Sequence, residues 1–558
     1  MARERRGAAR RRYSVQLALA CVWSVVQAAL AIAREGSEAT VFSRHRSPAV
    51  AAGVTGVGQL QALEWLPPLV DGPWDSAWQL SGMGRVGGLV AAFTRYRAQP
   101  SLMTVLAWLR THAHVVRARQ WAVVLVYVVL LVVPVLLPLP DNAARVWNHF
   151  TIVAEFVFWG IWWPFVLVSM VLFGRLWCGV LCPEGALTEW ASKHGRGLGI
   201  PRWMRWGGWP FVAFVLTTVY GQMVSVYQYP HAALLVLGGS TVAAMVVGYF
   251  YTRGKRAWCR YLCPVNGVFG LLAKLAPMHY KVSETEWRRS LHPLQGQPLI
   301  IKRAVDCPPM LDLRHLKGNN NCHMCGRCSG NYNAMALQWR SPSREIVEVA
   351  AAEATHWQTW LIVFGLQGVA IGAFHWSASP WFVAIRQWLV TWLIDRDIYW
   401  PLADNAPWWI LTNYPERNDV LTWLDGALLL AYICATALVW GGVTLALLAL
   451  AMRVAGAWCN QRLHHLAQSM IPLAGLGVFL GLSAITLTLL RGEGVFLPWI
   501  NTLRLALLAG SNAWSLWLAW RIVRHWGLGM GRALACTAIV LAALAWVDSA
   551  WGWLFWWW

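Results

Sequence analysis

Charge is scarce in this sequence. Asp, Glu, Lys and Arg make up 13% of its 558 residues, against about a quarter in a soluble domain, so a fully water-exposed fold is excluded. Acids are the scarcer sign, 25 against 46 basic residues, and none occurs between Asp75 and Asp141. That gap removes the ribose-holding carboxylate of a dinucleotide fold. Gly82-Met83-Gly84-Arg85-Val86-Gly87, which matches the fingerprint by letter, is therefore read as a loop or helix-packing cluster. A paired set of histidines for haem is lacking too: His356 and His375 stand at opposite ends of one apolar run, and His464 and His465 flank another.

Apolar runs are what the chain has in quantity, with 58% of its residues hydrophobic. A helix rising about 1.5 Å per residue needs roughly 20 residues to cross the hydrocarbon core. Residues 13–32, 121–137, 147–173, 208–227, 232–251, 357–374, 421–450, 466–490, 499–520 and 533–555 meet that need. These predict a polytopic α-helical membrane protein of about ten or eleven spans. The 41 Trp, among them Trp162, Trp163, Trp408, Trp409 and Trp556 to Trp558, gather at run ends and read as interfacial anchors. The net charge of +21 falls in short loops beside the spans, the placement of orientation signals rather than of a nucleic-acid surface. Six Arg in Met1 to Arg12 precede a run too long for a cleaved leader, so an uncleaved signal anchor with a cytoplasmic N-terminus is expected. The basic loops 175–205, 253–260 and 453–462 are then cytoplasmic, and the acidic stretch 395–419 faces the other side. This count requires one further crossing between Arg34 and Gln120, placed over residues 48–70.

Three zones follow: a membrane module over 1–275, a polar cytoplasmic module over 276–353, and a second membrane module over 354–558. The middle zone carries Cys322-His323-Met324-Cys325-Gly326-Arg327-Cys328. Three thiols at a strict spacing of three let one tight loop wrap a 4Fe-4S cubane. Zinc is the main rival, but its structural sites draw two ligands from each of two knuckles. A disulfide framework suits a reducing compartment poorly. Cys307-Pro308, fifteen residues upstream of the triplet, supplies the fourth ligand as the Cys-Pro of a ferredoxin repeat.

A second cysteine pattern occurs twice. Arg175-Leu176-Trp177-Cys178-Gly179-Val180-Leu181-Cys182-Pro183 is echoed by Arg256-Ala257-Trp258-Cys259-Arg260-Tyr261-Leu262-Cys263-Pro264, each directly after an apolar run. A spacing of four places both thiols of a copy on one helical face, with the Pro in a first turn. The four thiols suffice for a second 4Fe-4S cluster, for two redox dithiols or for a Cu(I) site, and small sulfurs packed against Trp177 and Trp258 are the structural alternative. Cys21, Cys434, Cys459 and Cys536 lie on or beside apolar helices and read as packed small residues. Glu155 lies inside a span, where it must face protein or water.

The two Cys-Pro repeats followed by the cysteine triplet resemble the bacterial membrane polyferredoxins, over roughly Trp147 to Leu337. That family includes the quinol-oxidising subunit of nitrate reductase systems and the accessory proteins of nitrous-oxide reductase and of copper-containing oxidases. The resemblance implies a small α+β ferredoxin-like cytoplasmic insert in an inner-membrane protein that passes electrons, commonly from quinol, to a partner protein. It assigns cluster cysteines to Cys307, Cys322, Cys325 and Cys328, and repeat cysteines to Cys178, Cys182, Cys259 and Cys263. The chain departs from the pattern in having one ferredoxin-type cluster motif where two are usual, no identifiable flavin-attachment segment, and an added helical module. Residues 466–491 of that module are similar to polyferredoxins of iron-uptake permeases. An assembly, sensory or metal-reducing accessory role tied to iron or copper is the alternative to electron transfer.

Overall fold

The computed structural model describes residues 112–141, 144–291, 305–330, 334–456 and 458–558. The expected signal anchor, the crossing over 48–70 and the glycine cluster at 82–87 lie outside these residues. Among the described residues, seven helices are long and apolar enough to cross a membrane. They are α1 (Ala113–Leu136), α2 (Phe150–Phe173), α6 (Pro230–Phe250), α10 (His356–His375), α12 (Trp423–Val454), α13 (Asn460–Gly492) and α15 (Met530–Trp557). Two other predicted runs are helical but fall short of that standard. Helix α5 (Trp209–Met223) has 15 residues, and α14 (Ile500–His525) is long but interrupted by polar residues such as Arg504 and Asn512. Helix α11 (Pro380–Ile394) was not anticipated. Its Trp381, Val383 and Trp388 are exposed, as are Leu125, Val242, Leu438 and Leu505 on the longer helices, the pattern of a lipid-facing surface.

Between the apolar helices lie the short elements that build the site. Helices α3 (Leu176–Val180) and α4 (Pro183–Lys193) follow α2, and α7 (Ala257–Tyr261) and α8 (Asn266–Ala273) follow α6. Strand β1 (Met278–Val282) pairs antiparallel with β2 (Met335–Trp339), Tyr280 opposite Leu337. Helix α9 (Glu284–Leu291) follows β1, and the cysteine triplet lies in the excursion between the strands. A two-residue hairpin, β3 (Asn413–Tyr414) with β4 (Asp419–Val420), closes the opposite end.

Close packing joins the parts. A Cβ on Gly248 of α6 would stand 2.4 Å from the Thr188 carbonyl of α4, while Thr188 donates to the Ala244 carbonyl at 2.7 Å. The main core runs from Val166, Met170 and Leu271 through Ile362 and Leu366 to Leu473, Ile522 and Leu544, so α2, α8, α10, α13, α14 and α15 share one interior. Lys274, at the end of α8, is 3% exposed and donates to Gln358 at 2.9 Å and Gln468 at 2.6 Å. A buried ammonium of this kind is tolerated only when its donors are taken up, and these bonds tie α8 to α10 and to the tighter turn Gln468–Met470 within α13.

Candidate metal centres

In each repeat the chain leaves its apolar helix through left-handed backbone, Gly174 (φ 62) in the first copy and Thr252 and Gly254 (φ 64 and 66) in the second. Helix α3 then carries Cys178 and ends at Val180. Cys182 has φ −62 and ψ 120, and its sulfur accepts from Gly185 N–H at 3.4 Å. This corrects the expectation of both thiols on one helical face. Pro183 has no N–H and disfavours helical backbone at the residue before it, so the helix breaks between the two cysteines. Pro183 opens α4 as expected, whereas Pro264 lies in a turn ahead of α8.

The break aims all four repeat thiols, Cys178, Cys182, Cys259 and Cys263, into one cavity of about 220 Å³. Its remaining wall is mostly apolar and rich in aromatic rings. Tyr127, Trp159, Trp162, Trp163 and Phe214 line it, so Trp162 and Trp163 serve here as cavity wall rather than as anchors. Trp159 and Trp162 project from a π-helical turn over Phe156–Trp162, a form that recurs at functional sites. Glu184 reaches the same space, accepting from Ser240 at 2.7 Å and from Trp258 of the second copy at 3.3 Å.

The donor chemistry fits an iron–sulfur group. Burial, and after it the neighbouring thiols and Glu184, pushes the Cys182 and Cys263 thiols well above their ordinary value. Burial also raises Cys259 to about 12, with Arg256 opposing and Glu184 and Cys178 assisting. Four thiolates this confined repel one another until a cationic group binds them. Among the described residues no three His, Cys, Asp or Glu side chains close on a single ion. A cubane takes one thiolate per iron and does not need them to converge on one point.

The second set surrounds the triplet loop. Met324 (φ 52) and Gly326 (φ 79) are left-handed, which coils the loop tightly. Cys322, Met324 and Cys328 pack with Tyr280, Met335 and Leu337 of the two strands, and Cys307 lies against this group. Burial raises Cys322 to about 12 and Cys328 further, and the other thiols of the set add to both. Glu345 accepts from the backbone N–H of Asn319 and Asn320 and pairs with Arg340 at 2.5 Å, fixing the turn that delivers Cys322.

The two sets meet backbone to backbone. A Cβ on Gly179 would stand 2.1 Å from the His323 carbonyl and 2.8 Å from Cys325 N and Cα. Arg175 donates to the Asn320 carbonyl at 2.9 Å. Its counterpart in the second copy, Arg256, donates through its backbone to Pro308 at 2.9 Å and through its side chain to the Cys178 carbonyl at 2.5 Å. Glu189 bridges Arg256 (2.9 Å) and Arg327 (2.6 Å), and Arg327 reaches Asp306 at 3.2 Å. His323 is buried with both ring nitrogens unpaired. Burial, reinforced by Arg175, Arg256 and Arg260, holds it neutral, well below the ordinary histidine range.

A family model described as "4Fe-4S binding domain" matches residues 156–201 and 234–283. Both matched segments contain one repeat, and together they hold all four repeat cysteines. The chain is similar to regulatory protein NosR of Pseudomonas aeruginosa, 26% identical over 198 residues, 31% of this chain and 26% of the relative. It is also similar to methylamine utilization ferredoxin-type protein MauN of Methylorubrum extorquens, 28% identical over 134 residues, 22% of this chain and 46% of the relative. Ferredoxin-type protein NapH of Haemophilus influenzae is 28% identical over 131 residues, 21% of this chain and 45% of the relative. The chain thus carries a 4Fe-4S binding domain and is similar to ferredoxin-type membrane proteins. It is a multi-pass membrane protein with a 4Fe-4S cofactor. Its matches span a quarter to under half of these three relatives, and no solved structure matches it.

Several residues at the junction of the two thiol sets were not singled out from the sequence: Gly179, Glu184, Glu189 and His323, and the clamping role of Arg175 and Arg256. For the two arginines a signal existed, since both repeats place Arg three residues before the first Cys. Among the described residues no disulfide forms, and Cys434, Cys459 and Cys536 remain apart from both sets. His356 and His464 do approach, with ring centroids 6.3 Å apart, but His464 Nδ1 is bonded to Thr359. His465 donates through Nε2 to the Ile346 carbonyl and accepts at Nδ1 from Trp526 Nε1–H. Glu155 lines a small internal cavity with Thr151 and Gln228.

Proposed function

We propose that this protein is a membrane polyferredoxin, an electron-transfer subunit that takes electrons from a membrane quinol and delivers them to a partner protein through two 4Fe-4S centres. One centre is assigned to Cys178, Cys182, Cys259 and Cys263, the other to Cys307, Cys322, Cys325 and Cys328. The observation that carries this reading is the contact at Gly179, where the helix carrying Cys178 meets the triplet loop backbone to backbone. Bound there, the clusters supply one-electron redox chemistry. The protein's own part is to hold thiolates at fixed positions, exclude water and fix the contact through the Arg175 and Arg256 clamps. Quinol as donor is supported by the aromatic cavity, which runs from the first thiol group to Phe374, Val478 and Leu482 on the long helices. A largely apolar cavity with a few polar groups at one end is the usual form of a small-molecule site. The reading keeps the N-terminal membrane, ferredoxin-like and C-terminal membrane modules as three functional parts, with the N-terminus and the ferredoxin-like module on the cytoplasmic side of the bacterial inner membrane.

A second reading, an assembly, sensory or metal-reducing accessory protein, is favoured by one observation: a relative is named a regulatory protein. Iron and acid-labile sulfide per chain, with low-temperature EPR before and after adding a quinol, separates the two. About eight irons with two interacting signals that change on quinol addition is the expected result. About four irons and no response to quinol would overturn the relay and leave the accessory reading.

A further inference from the structure

A second cavity, of about 240 Å³, lies where α5 and α10 begin, on the face that carries the cysteine triplet. Its wall carries two cations, Arg205 and Arg260, and no carboxylate. Amides of Asn266, Asn321 and Gln358 add neutral polar groups. Arg260 spends one guanidinium nitrogen on the Pro309 and Met310 carbonyls, at 2.5 and 2.9 Å. A guanidinium carries five donors, so others remain for a ligand. Arg205 is exposed and forms no ion pair among the described residues.

The cavity also has a definite depth. Trp206 and Trp357 line it, with ring centroids 4.9 Å apart. Trp209 packs beside Trp206, Trp203 beside Trp209, and Trp360 beside Trp357. Indole rings gathered at the starts of two apolar helices mark the headgroup level of a membrane. A pocket there with two arginines and no acid fits a phosphate group, which guanidinium binds bidentately. Its volume falls below the roughly 300–1,000 Å³ of a drug-sized ligand, too little for a dinucleotide but suited to a headgroup whose chains stay in lipid.

We propose that this cavity binds the phosphate of an anionic phospholipid headgroup, between Arg205 and Arg260, with Trp206 and Trp357 at the glycerol level. Basic pockets between membrane helices hold such headgroups elsewhere. The site is not a bystander to the triplet loop. Asn320 and Asn321, the two residues before Cys322, form part of its wall, and the Asn320 carbonyl is the one that Arg175 grips.

The test is native mass spectrometry of the full protein released from nanodiscs of phosphatidylglycerol mixed with phosphatidylcholine. The wild type is expected to retain a phosphatidylglycerol adduct that 10 mM inorganic phosphate does not displace. Arg205→Gln should lower that retention about tenfold while iron content stays unchanged, which shows that the variant is folded. Arg253→Gln, an exposed arginine outside the cavity, should retain the lipid as the wild type does. Equal losses from both variants would mean a diffuse basic face and overturn the site. So would wild-type retention of phosphatidylcholine as strong as of phosphatidylglycerol. Displacement of the adduct by inorganic phosphate, or phosphate binding in pure phosphatidylcholine nanodiscs that Arg205→Gln abolishes, would assign the same chemistry to a free anion and overturn the lipid.

Discussion

At Glu189 one carboxylate serves three cations. Its side chain is 6% exposed, Arg256 beside it is 1% exposed, and Arg327 and Lys193 complete the group. Burial alone would raise this carboxyl, but Arg256, Arg327 and Lys193 outweigh it and hold Glu189 at about 2. A carboxyl whose folded value is depressed adds stability that is complete above its ordinary value near 4.5 and fades as pH falls toward 2. Glu189→Gln leaves the Arg256 guanidinium buried without its counter-charge, and breaking such a pair costs about 3–5 kcal/mol. The apparent melting midpoint of Glu189→Gln should therefore lie well below that of the wild type at pH 6. That gap should narrow as pH is lowered from 5 to 3, and a gap independent of pH would show that Glu189 is not ionised in the folded protein. The cysteines differ among themselves in the same local way. Cys325→Ser is expected to abolish the ferredoxin-type EPR signal, whereas Cys434→Ser, on the exposed side of α12, should leave iron content unchanged. Equal iron loss from both would undo the assignment of the triplet.

The elements that matter most are short, and the sequence shows them unevenly. The long helices follow from apolar runs of the needed length, and the triplet loop from its spacing of three. The Cys-Pro dipeptide already contained the break between α3 and α4, because Pro183 forbids the helical backbone that a spacing of four assumes at Cys182. The place of Trp162 and Trp163 in the cavity wall was not legible in the same way. Run-end position predicts an anchor, whereas both rings line the cavity. Nor was the docking of α3 on the triplet loop, since residues 179 and 325 are far apart in the chain and no local pattern links them. That docking is tested at Gly179. An alanine there needs a Cβ 2.1 Å from the His323 carbonyl, so α3 and the loop must separate, at a cost of about 1–3 kcal/mol. Gly179→Ala should keep both iron centres but weaken the magnetic interaction between them, read as loss of splitting in the EPR spectrum of the fully reduced protein. Gly531→Ala, with open space around its Cβ, should leave the splitting intact. An unchanged spectrum in Gly179→Ala would mean that this contact does not set the separation of the centres.

On the scale of the whole molecule, the two thiol groups differ in what surrounds them. Cys178, Cys182, Cys259 and Cys263 share a cavity with the long apolar helices α2, α6 and α13. Cys307, Cys322, Cys325 and Cys328 lie in the polar excursion with the β1–β2 sheet and do not line that cavity. Under the proposed function a lipid-soluble donor meets the first group first, a direction that removal of each group tests. In Cys259→Ser/Cys263→Ser the triplet centre should persist and accept electrons from dithionite, which arrives through water. Its reduction by quinol should fall at least tenfold, because the entry point is gone. In Cys322→Ser/Cys325→Ser the repeat centre should still be reduced by quinol at the wild-type rate, with transfer to any water-soluble acceptor lost instead. Undiminished quinol reduction of the triplet centre in the first variant would place electron entry at the ferredoxin-like module and reverse the order argued from the cavity.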